Sequence, residues 1–293
     1  MSAQSPGAGA GPGSRRARSF DRVAQAYERA RPGYPDQAAR WLLAGAGERP
    51  LHVLELGAGT GKLTAGLMAL GHRVTALDPA GGMLAQLRTG LPSARPVVAV
   101  AEALPLADAS VDAVVAAQAF HWFDHARAIP EITRVLRPGG TLGLVWNDTD
   151  RRIPWVRRLE SLLGGPHEMP DPTAELDDTG LFEVVESRRF RFWQPIGRDG
   201  LRDLAQSRSA VATLGEEERA RTLEEVDALY DSYGRGPDGM LLPYDTFAYR
   251  TKVLPFARHH RPGAQQADPS QPRRTDPEPQ DGTDPDSLLI DFR

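Results

Sequence analysis

The sequence contains no cysteine, and this absence excludes three kinds of chemistry. Disulfide bonds, thiolate zinc sites and cysteine nucleophiles all need a side chain that the chain does not have. Lysine is nearly absent as well, because Lys62 and Lys252 are the only lysines and arginine supplies the rest of the positive charge. Together with the abundant alanine, this imbalance is better explained by a codon bias than by a binding surface.

A strong excess of charge of either sign is also missing. The net charge is −4, so no global positive field attracts nucleic acid or an anionic membrane. No apolar run approaches the roughly 18 residues that a membrane-spanning helix needs. We therefore expect a cytoplasmic protein without a nucleic-acid or membrane partner, and the sequence leaves its oligomeric state open.

The two ends of the chain differ from its middle, which has the composition of an ordinary folded protein. Residues 1–19 are rich in Gly, Ala, Pro and Ser and have no central apolar region, so they predict a disordered arm and not a secretory signal. Residues 258–293 combine prolines with scattered charges and predict a disordered tail. We expect the folded domain to cover residues 20–257.

Short apolar runs alternate with amphipathic stretches in this middle region, which is typical of an α/β fold with helices on both faces of a mostly parallel sheet. The predicted strands are Leu51–Leu56, Arg73–Leu77, Pro96–Val100, Val111–Ala117, Thr141–Trp146, Phe182–Trp193 and Tyr244–Val253. The predicted helices are Phe20–Glu28, Asp36–Leu43, Lys62–Leu70, Gly82–Arg88, Ala126–Leu136, Pro154–Leu163, Leu201–Gln206 and Glu216–Tyr233.

The most informative segment is the glycine-rich turn after the first predicted strand, Gly57-Ala58-Gly59-Thr60-Gly61. Glycine at a strand-to-helix turn lets the backbone approach a ligand, and the helix N-terminus behind it offers unpaired N–H groups. A dinucleotide-binding fingerprint, G-x-G-x-x-G, needs its third glycine at position 62, where the chain has Lys62. The spacing therefore disfavours an NAD(P)-linked oxidoreductase, which stays as an alternative.

Two acidic residues indicate what kind of ligand the turn fits. Glu55 precedes the first glycine by two residues, where it would repel a pyrophosphate but suits an ammonium group. Asp78 ends the second predicted strand, where a carboxylate accepts hydrogen bonds from both ribose hydroxyls. The methionine part of S-adenosyl-L-methionine is an example of a ligand with such an ammonium group. The glycine-rich turn and the two acids together predict a binding site for a nucleoside cofactor.

These motifs resemble those of class I S-adenosylmethionine-dependent methyltransferases, in the group of ubiquinone-biosynthesis-type and trans-aconitate-methyltransferase-like enzymes. The matching segments are Val53–Gly61, Ala76–Pro79, Ala101–Pro105, Ser110–Val114 and Leu136–Gly140, and Phe20–Pro35 with Gln118–Phe123 resembles one subgroup. The resemblance implies a Rossmann-like seven-stranded sheet with the last strand antiparallel. It also implies an N-terminal lid over residues 20–45, a cofactor-binding core over 46–150 and cap helices within 151–257.

The resemblance further implies which residues bind the cofactor. They are Glu55, Gly57, Ala58, Gly59, Gly61, Asp78, Pro79, Met83, Ala101, Glu102, Gln118 and Arg31. One departure is Val100, because many relatives have an aspartate there that accepts from the adenine amino group. Adenine recognition then depends on the Ala101 backbone, Glu102 and apolar packing. Met83 either packs on the adenine ring or belongs to the core of its helix.

Methyl transfer depends mainly on alignment of the two reactants, and a base is needed only where the acceptor is protonated. His121 follows the fourth predicted strand, at the sheet edge where ligands bind in α/β proteins. Three roles are open for it: general base, hydrogen-bond donor to an oxygen, or brace of its own loop. A protein that binds the cofactor without catalysis is a further alternative.

Aromatic residues cluster in two segments that the fold would bring over one edge of the sheet. We expect Tyr27, Tyr34 and Trp122 on the acceptor side, with Phe120 and Phe123 adding to the same wall. An aromatic wall with a few polar groups suits a small, partly apolar molecule. The sequence therefore predicts a small-molecule methyl acceptor and no metal site.

Overall fold

The structure is a computed structural model, and it describes residues 31–47, 50–165, 168–234 and 239–255. The expected arm over 1–19, the expected tail over 258–293 and the helix expected at Phe20–Glu28 lie outside the described residues, as does Tyr27. In the described part of the chain, no helix has the length and apolarity needed to cross a membrane.

Seven strands of the described residues form one sheet. They are β1 (His52–Leu56), β2 (Arg73–Asp78), β3 (Arg95–Val98), β4 (Val111–Ala117), β5 (Leu136–Thr149), β6 (Glu186–Ile196) and β7 (Met240–Lys252). Their order is β3-β2-β1-β4-β5-β7-β6. β7 lies antiparallel between β5 and β6, and the pairs from β3 to β5 are parallel. The predicted Rossmann-like sheet with an antiparallel last strand is confirmed.

The helices of the described residues connect these strands. They are α1 (Asp36–Leu43), α2 (Lys62–Ala69), α3 (Gly81–Gly90), α4 (His125–Val135), α5 (Pro154–Leu162), α6 (Thr173–Asp177), α7 (Arg198–Gln206), α8 (Ser209–Ala212) and α9 (Glu216–Tyr233), with a 3-10 turn at Phe120–Trp122. The bounds of α1, α9 and β4 are those that the sequence predicts.

Neighbouring side chains of the central strands build a core on each face of the sheet. Leu54 of β1 packs with Ile132 of α4 on one face. Val53, one residue earlier, packs with Leu42 of α1 on the other face. Helices thus cover both faces, which explains why β4 is an almost continuous apolar run.

A separate apolar cluster joins the helices that follow β5 and β6 to the beginning of β7. It contains Leu159 of α5, Leu204 of α7, Val226 of α9 and Leu242 of β7, all nearly inaccessible to solvent. Burial of these side chains fixes the three helices against the end of the sheet.

The last three strands differ most in extent from the prediction. β5 begins at Leu136 and not at Thr141, and β7 begins at Met240 and not at Tyr244. β5 continues past Trp146 through Asn147–Thr149, because these polar residues pair with Tyr244–Thr246 of β7. β6 begins at Glu186, whereas Phe182 forms an isolated bridge with Val253.

Candidate active site

The glycine loop between β1 and α2 has a backbone that only glycine adopts easily. Gly57, Gly59 and Gly61 all have positive φ, at 68°, 54° and 93°. A Cβ atom on Gly57 would lie 2.5 Å from the Cβ of Ala119, so a larger residue does not fit there. A Cβ on Gly59 would meet nothing within 4 Å. The loop is therefore packed against the protein at Gly57 and open at Gly59.

Glu55 lies in β1, directly before this loop, and it is only 1% exposed. Burial raises the pKa of its carboxyl to about 8, a hydrogen bond from Thr64 lowers it, and the nearby charge of Asp78 raises it. An ammonium group beside Glu55 would favour the ionised carboxylate. The environment of Glu55 thus favours a positively charged ligand.

Asp78 at the end of β2 is tied to the glycine loop. Its Oδ2 accepts the Gly59 N–H over 2.9 Å, and its Oδ1 accepts the Ala80 N–H over 2.8 Å. A carboxylate offers about four lone-pair directions, so both oxygens keep capacity for hydroxyl donors. This arrangement fits the ribose role that the sequence predicts.

A first cavity, called here the cofactor cavity, brings together many of the predicted residues. Its lining includes Arg31, Tyr34, Glu55, Gly57, Ala58, Gly59, Thr60, Gln118, Asn147, Asp148, Thr149, Leu204, Arg208 and Tyr244. Thr60 Oγ1 is buried and has no hydrogen-bond partner among the described residues. An unpaired buried hydroxyl, a desolvated carboxyl and the Arg31 guanidinium match the ammonium and carboxylate of an amino acid. The residues present therefore fit the methionine part of S-adenosylmethionine.

Six of the twelve predicted cofactor-binding residues are absent from the described lining of this cavity, and they are Gly61, Asp78, Pro79, Met83, Ala101 and Glu102. Pro79 is exposed and Met83 is half-buried in α3. Ala101 is buried, and Glu102 Oε1 accepts the N–H of Asp124 over 2.9 Å. These roles stay predictions.

A second cavity, called here the acceptor-side cavity, adjoins the first. It is lined by Arg31, Gln118, His121, Trp122, Trp146, Leu163, Glu168, Met169, Arg208 and Ala210, among others. Arg31, Gln118 and Arg208 line both cavities. The two cavities therefore adjoin at these three residues.

Gln118 follows β4 and has a strained backbone, with φ at 56°. Its N–H donates to the carbonyl of Val145, and its Nε2 donates to the carbonyl of Asn147 over 3.0 Å. Both bonds attach the loop after β4 to the end of β5. The sequence analysis predicted that Gln118 lies at this edge of the sheet. It did not predict the left-handed backbone of this residue.

The predicted aromatic wall forms only in part. Trp122 lines the acceptor-side cavity and is 79% exposed. Phe120 is 1% exposed and belongs to the core, so the wall role expected for it is wrong. Phe123 is partly buried and packs against the same core cluster. Tyr34 lines the cofactor cavity. The side chain at Phe120 turns inward because a 3-10 turn places it over the core.

Several residues of the cavity linings were missed by the sequence analysis, and Asn147 and Arg208 are two of them. Asn147, at the end of β5, donates from Nδ2 to the carbonyl of Gly33 over 3.0 Å. Arg208 forms an ion pair with the buried Glu160 at 2.6 Å. The rule that ligands bind at the carboxyl ends of strands would have found Asn147. No local pattern distinguishes Arg208 from the many other arginines.

Comparison with known proteins gives the same family for sequence and structure. A family model described as a methyltransferase domain matches residues 54–144. An uncharacterized methyltransferase of Mycobacterium tuberculosis is 44% identical over 237 residues, which cover 80% of this chain and 96% of that protein. One of Schizosaccharomyces pombe is 35% identical over 247 residues, covering 82% and 98%.

A solved structure from Anaeromyxobacter dehalogenans, assigned as a type II methyltransferase, superposes with a TM-score of 0.58 and is 30% identical, covering 77% of this chain and 99% of that one. The relatives match far beyond the cofactor-binding segment, since nearly their whole length aligns. The observed strand order and the glycine loop agree with this match. The chain therefore belongs to the class I S-adenosylmethionine-dependent methyltransferases.

Proposed function

We propose that this enzyme methylates a small molecule, with S-adenosylmethionine in the cofactor cavity and the methyl acceptor in the acceptor-side cavity. The observation that carries the proposal is the contact between the two cavities at Arg31, Gln118 and Arg208. Methyl transfer is an in-line displacement, so the acceptor atom must lie on the side of the methyl carbon opposite the sulfur. Two adjoining cavities support this arrangement, because a methyl group at the end of one could face an acceptor in the other.

The size of the acceptor-side cavity supports a small acceptor. Its volume is about 590 Å³, within the range of roughly 300–1,000 Å³ that is usual for small-molecule sites. Its lining combines the apolar surfaces of Trp122, Trp146 and Met169 with a few polar groups. Such a lining suits a partly apolar molecule whose polar group sets its orientation.

In this proposal the chain's residues hold the cofactor by its charged and polar groups. Glu55 accepts from the ammonium group and Arg31 pairs with the carboxylate. The glycine loop, Gly57 to Gly61, approaches the ligand with its backbone, and Asp78 with Pro79 receives the ribose. Met83, Ala101 and Glu102 serve the adenine side. When bound, the cofactor supplies a methyl group on a sulfonium, which is already an electrophile with its leaving group attached.

The residues after β4 would align the acceptor. Gln118 is fixed to Asn147 and lies where the two cavities meet. Trp122 supplies an exposed apolar surface, and Tyr27 and Tyr34 are proposed to shield the site from water. Cap helices α5, α7 and α9 complete the enclosure, within the proposed domain of residues 20–257.

The proposal is tested by separating cofactor binding from acceptor binding. S-adenosylhomocysteine affinity is measured by calorimetry, and methyl transfer from S-adenosylmethionine to pooled small acids, phenols and amines is followed by mass spectrometry. Trp122→Ala should keep the affinity for S-adenosylhomocysteine and raise the KM of any acceptor found. Loss of S-adenosylhomocysteine binding in Trp122→Ala, or wild-type protein that methylates only macromolecules, would contradict the proposal.

A further inference from the structure

Arg208 lines both cavities, and buried residues of the protein anchor its side chain. Its Nη2 donates to Glu160 Oε1 over 2.6 Å, and Thr149 Oγ1 donates to the same oxygen over 2.8 Å. Glu160 is 2% exposed and does not belong to the described lining of either cavity. The guanidinium is therefore held by interior groups at the place where the two cavities adjoin.

The bond to Glu160 uses only part of the hydrogen-bonding capacity of Arg208. A guanidinium has five N–H hydrogens and no acceptor. The Nε of Arg208 is buried without a hydrogen-bond partner among the described residues, and the side chain as a whole is 16% exposed. An arginine and a carboxylate that serve only each other commonly form two parallel bonds, whereas here Glu160 accepts one. Because a buried N–H without a partner costs free energy, this guanidinium favours a further acceptor group.

The surroundings of Arg208 restrict the chemistry of that acceptor group. Arg31 lines the same two cavities, and its Nε donates over 3.4 Å to the hydroxyl of Ser207, the residue before Arg208. The one carboxylate in the described lining of the acceptor-side cavity belongs to Glu168, which is exposed. Two guanidinium groups at one junction favour a negatively charged ligand. A carboxylate or a phosphate supplies both the charge and the lone pairs that arginine binds.

We infer that Arg208 determines acceptor specificity by binding an anionic carboxylate or phosphate group of the methyl acceptor. This inference rests on the proposed function for the roles of the two cavities, in which Arg31 pairs with the carboxylate of the cofactor. Arg208 then serves the acceptor. The apolar surfaces of Trp122 and Met169 in the same cavity suit the rest of that molecule. The acceptor is thus a small anion with an apolar body.

The charge preference of the acceptor-side cavity tests this inference without knowledge of the natural acceptor. Benzoate and benzamide share an apolar ring, and benzoate alone of the two is an anion at neutral pH. Their binding to full-length protein loaded with S-adenosylhomocysteine is compared by ligand-observed NMR, with phenyl phosphate as a second anion that distinguishes phosphate from carboxylate. We expect at least one anion to bind wild type roughly tenfold or more tightly than benzamide, since a charged group strengthens the hydrogen bonds. Wild-type protein that binds neither anion more tightly than benzamide overturns the inference, and this result needs no variant.

Two arginine substitutions assign the preference to a residue. Arg208→Gln removes the charge and keeps an N–H donor. Arg202→Gln is the matched control, because Arg202 of α7 also forms an ion pair with an acid, Asp227, but does not belong to the described lining of either cavity. We expect Arg208→Gln to reduce the preference for the anion by roughly ten- to a hundredfold and to keep the affinity for S-adenosylhomocysteine. Arg202→Gln should leave both unchanged.

The outcomes that contradict the inference differ from those that contradict the proposed function. An anion preference that persists in Arg208→Gln, or that falls equally in Arg202→Gln, overturns the role of Arg208 and leaves methyl transfer untouched. Failure of wild-type protein to bind S-adenosylhomocysteine contradicts the cofactor site, and the anion preference is then measured on the protein without it.

Discussion

Thr64 donates its hydroxyl hydrogen to Glu55 Oε2 across 2.5 Å, and both residues are buried. Thr64 belongs to α2, directly behind the glycine loop, so the bond joins this helix to β1. Because burial raises the pKa of Glu55 to about 8, the carboxyl is mainly protonated at neutral pH without a ligand. A bound ammonium favours its ionised form, so binding near pH 7 should release a proton.

Cofactor affinity should consequently depend on pH. We predict that S-adenosylhomocysteine binds wild-type protein more tightly as the pH rises from about 6 to 8, by at most about tenfold per pH unit for one released proton. Glu55→Gln cannot release this proton and should bind more weakly with little pH dependence. Thr64→Val removes a bond that lowers the pKa, so its rise in affinity should shift to higher pH. Calorimetry across this pH range checks the prediction for wild type, Glu55→Gln and Thr64→Val. A wild-type affinity that does not change with pH would contradict the role of Glu55.

Asp78 should contribute strongly to binding through the ribose. Asp78→Ala removes an acceptor for two hydroxyls and also frees the N–H groups of Gly59 and Ala80. Hydrogen bonds to a charged group are worth roughly 1.5–3 kcal/mol each, and about 1.4 kcal/mol corresponds to tenfold in affinity. We therefore expect S-adenosylhomocysteine to bind at least about tenfold more weakly. Asp78→Asn keeps one acceptor oxygen, so its affinity for S-adenosylhomocysteine should lie between those of wild type and Asp78→Ala. Unchanged binding in Asp78→Ala would contradict the ribose contact.

Asn147 connects the segment before α1 to the end of β5. Its Nδ2 donates to the Gly33 carbonyl, and its Oδ1 accepts from Thr246 Oγ1 over 2.7 Å. Asn147→Ala should lower the free energy of unfolding by roughly 1–3 kcal/mol and also weaken S-adenosylhomocysteine binding, because Gly33 lies between Arg31 and Tyr34 at the cofactor cavity. Thr246→Val removes only the second bond.

The Thr246 variant is the matched control for this prediction. It should lower the melting temperature while keeping the affinity for S-adenosylhomocysteine close to wild type. Equal losses of affinity in the two variants would mean that the bond to Gly33 has no specific part in cofactor binding.

The ends of the chain provide a test of the proposed domain limits. Removal of residues 1–17 and 260–293 should leave cofactor affinity and melting temperature nearly unchanged, because their composition allows little burial of apolar surface. Deletion through Tyr34 should weaken S-adenosylhomocysteine binding, since it removes Arg31 and Tyr34 from the cofactor cavity. A fall of several degrees in melting temperature after the shorter truncation would show that one end contributes to the fold.

The sequence predicts the parts of this fold that local pattern controls. The apolar run of β4 is predictable because the strand is buried on both faces, which restricts it to apolar residues. The turn from Gly57 to Gly61 is predictable because its positive φ angles favour glycine. The extension of β5 was missed, because Asn147–Thr149 are polar and become buried only through pairing with β7. Their place in the strand depends on a partner about a hundred residues away.

The candidate site likewise contains residues that local sequence predicts and residues whose place depends on distant partners. Glu55 and Asp78 could be predicted as binding residues because each stands at a fixed distance from a strand end. Arg208 was missed because its partner is the distant Glu160, and no periodicity records that ion pair. The hydrogen bond from the Trp146 indole N–H to His121 Nδ1 was equally hidden, since it joins the turn after β4 to β5. Phe120 was misplaced because the short turn at Phe120–Trp122 decides which aromatic ring faces the core.

The most direct test of the account is a crystal structure of the protein with S-adenosylhomocysteine. We predict the amino group against Glu55, the ribose hydroxyls against Asp78, and the sulfur directed toward the cavity lined by His121 and Trp122. The opposite orientation, with the ribose at Glu55, or binding away from the glycine loop, would contradict the proposed site.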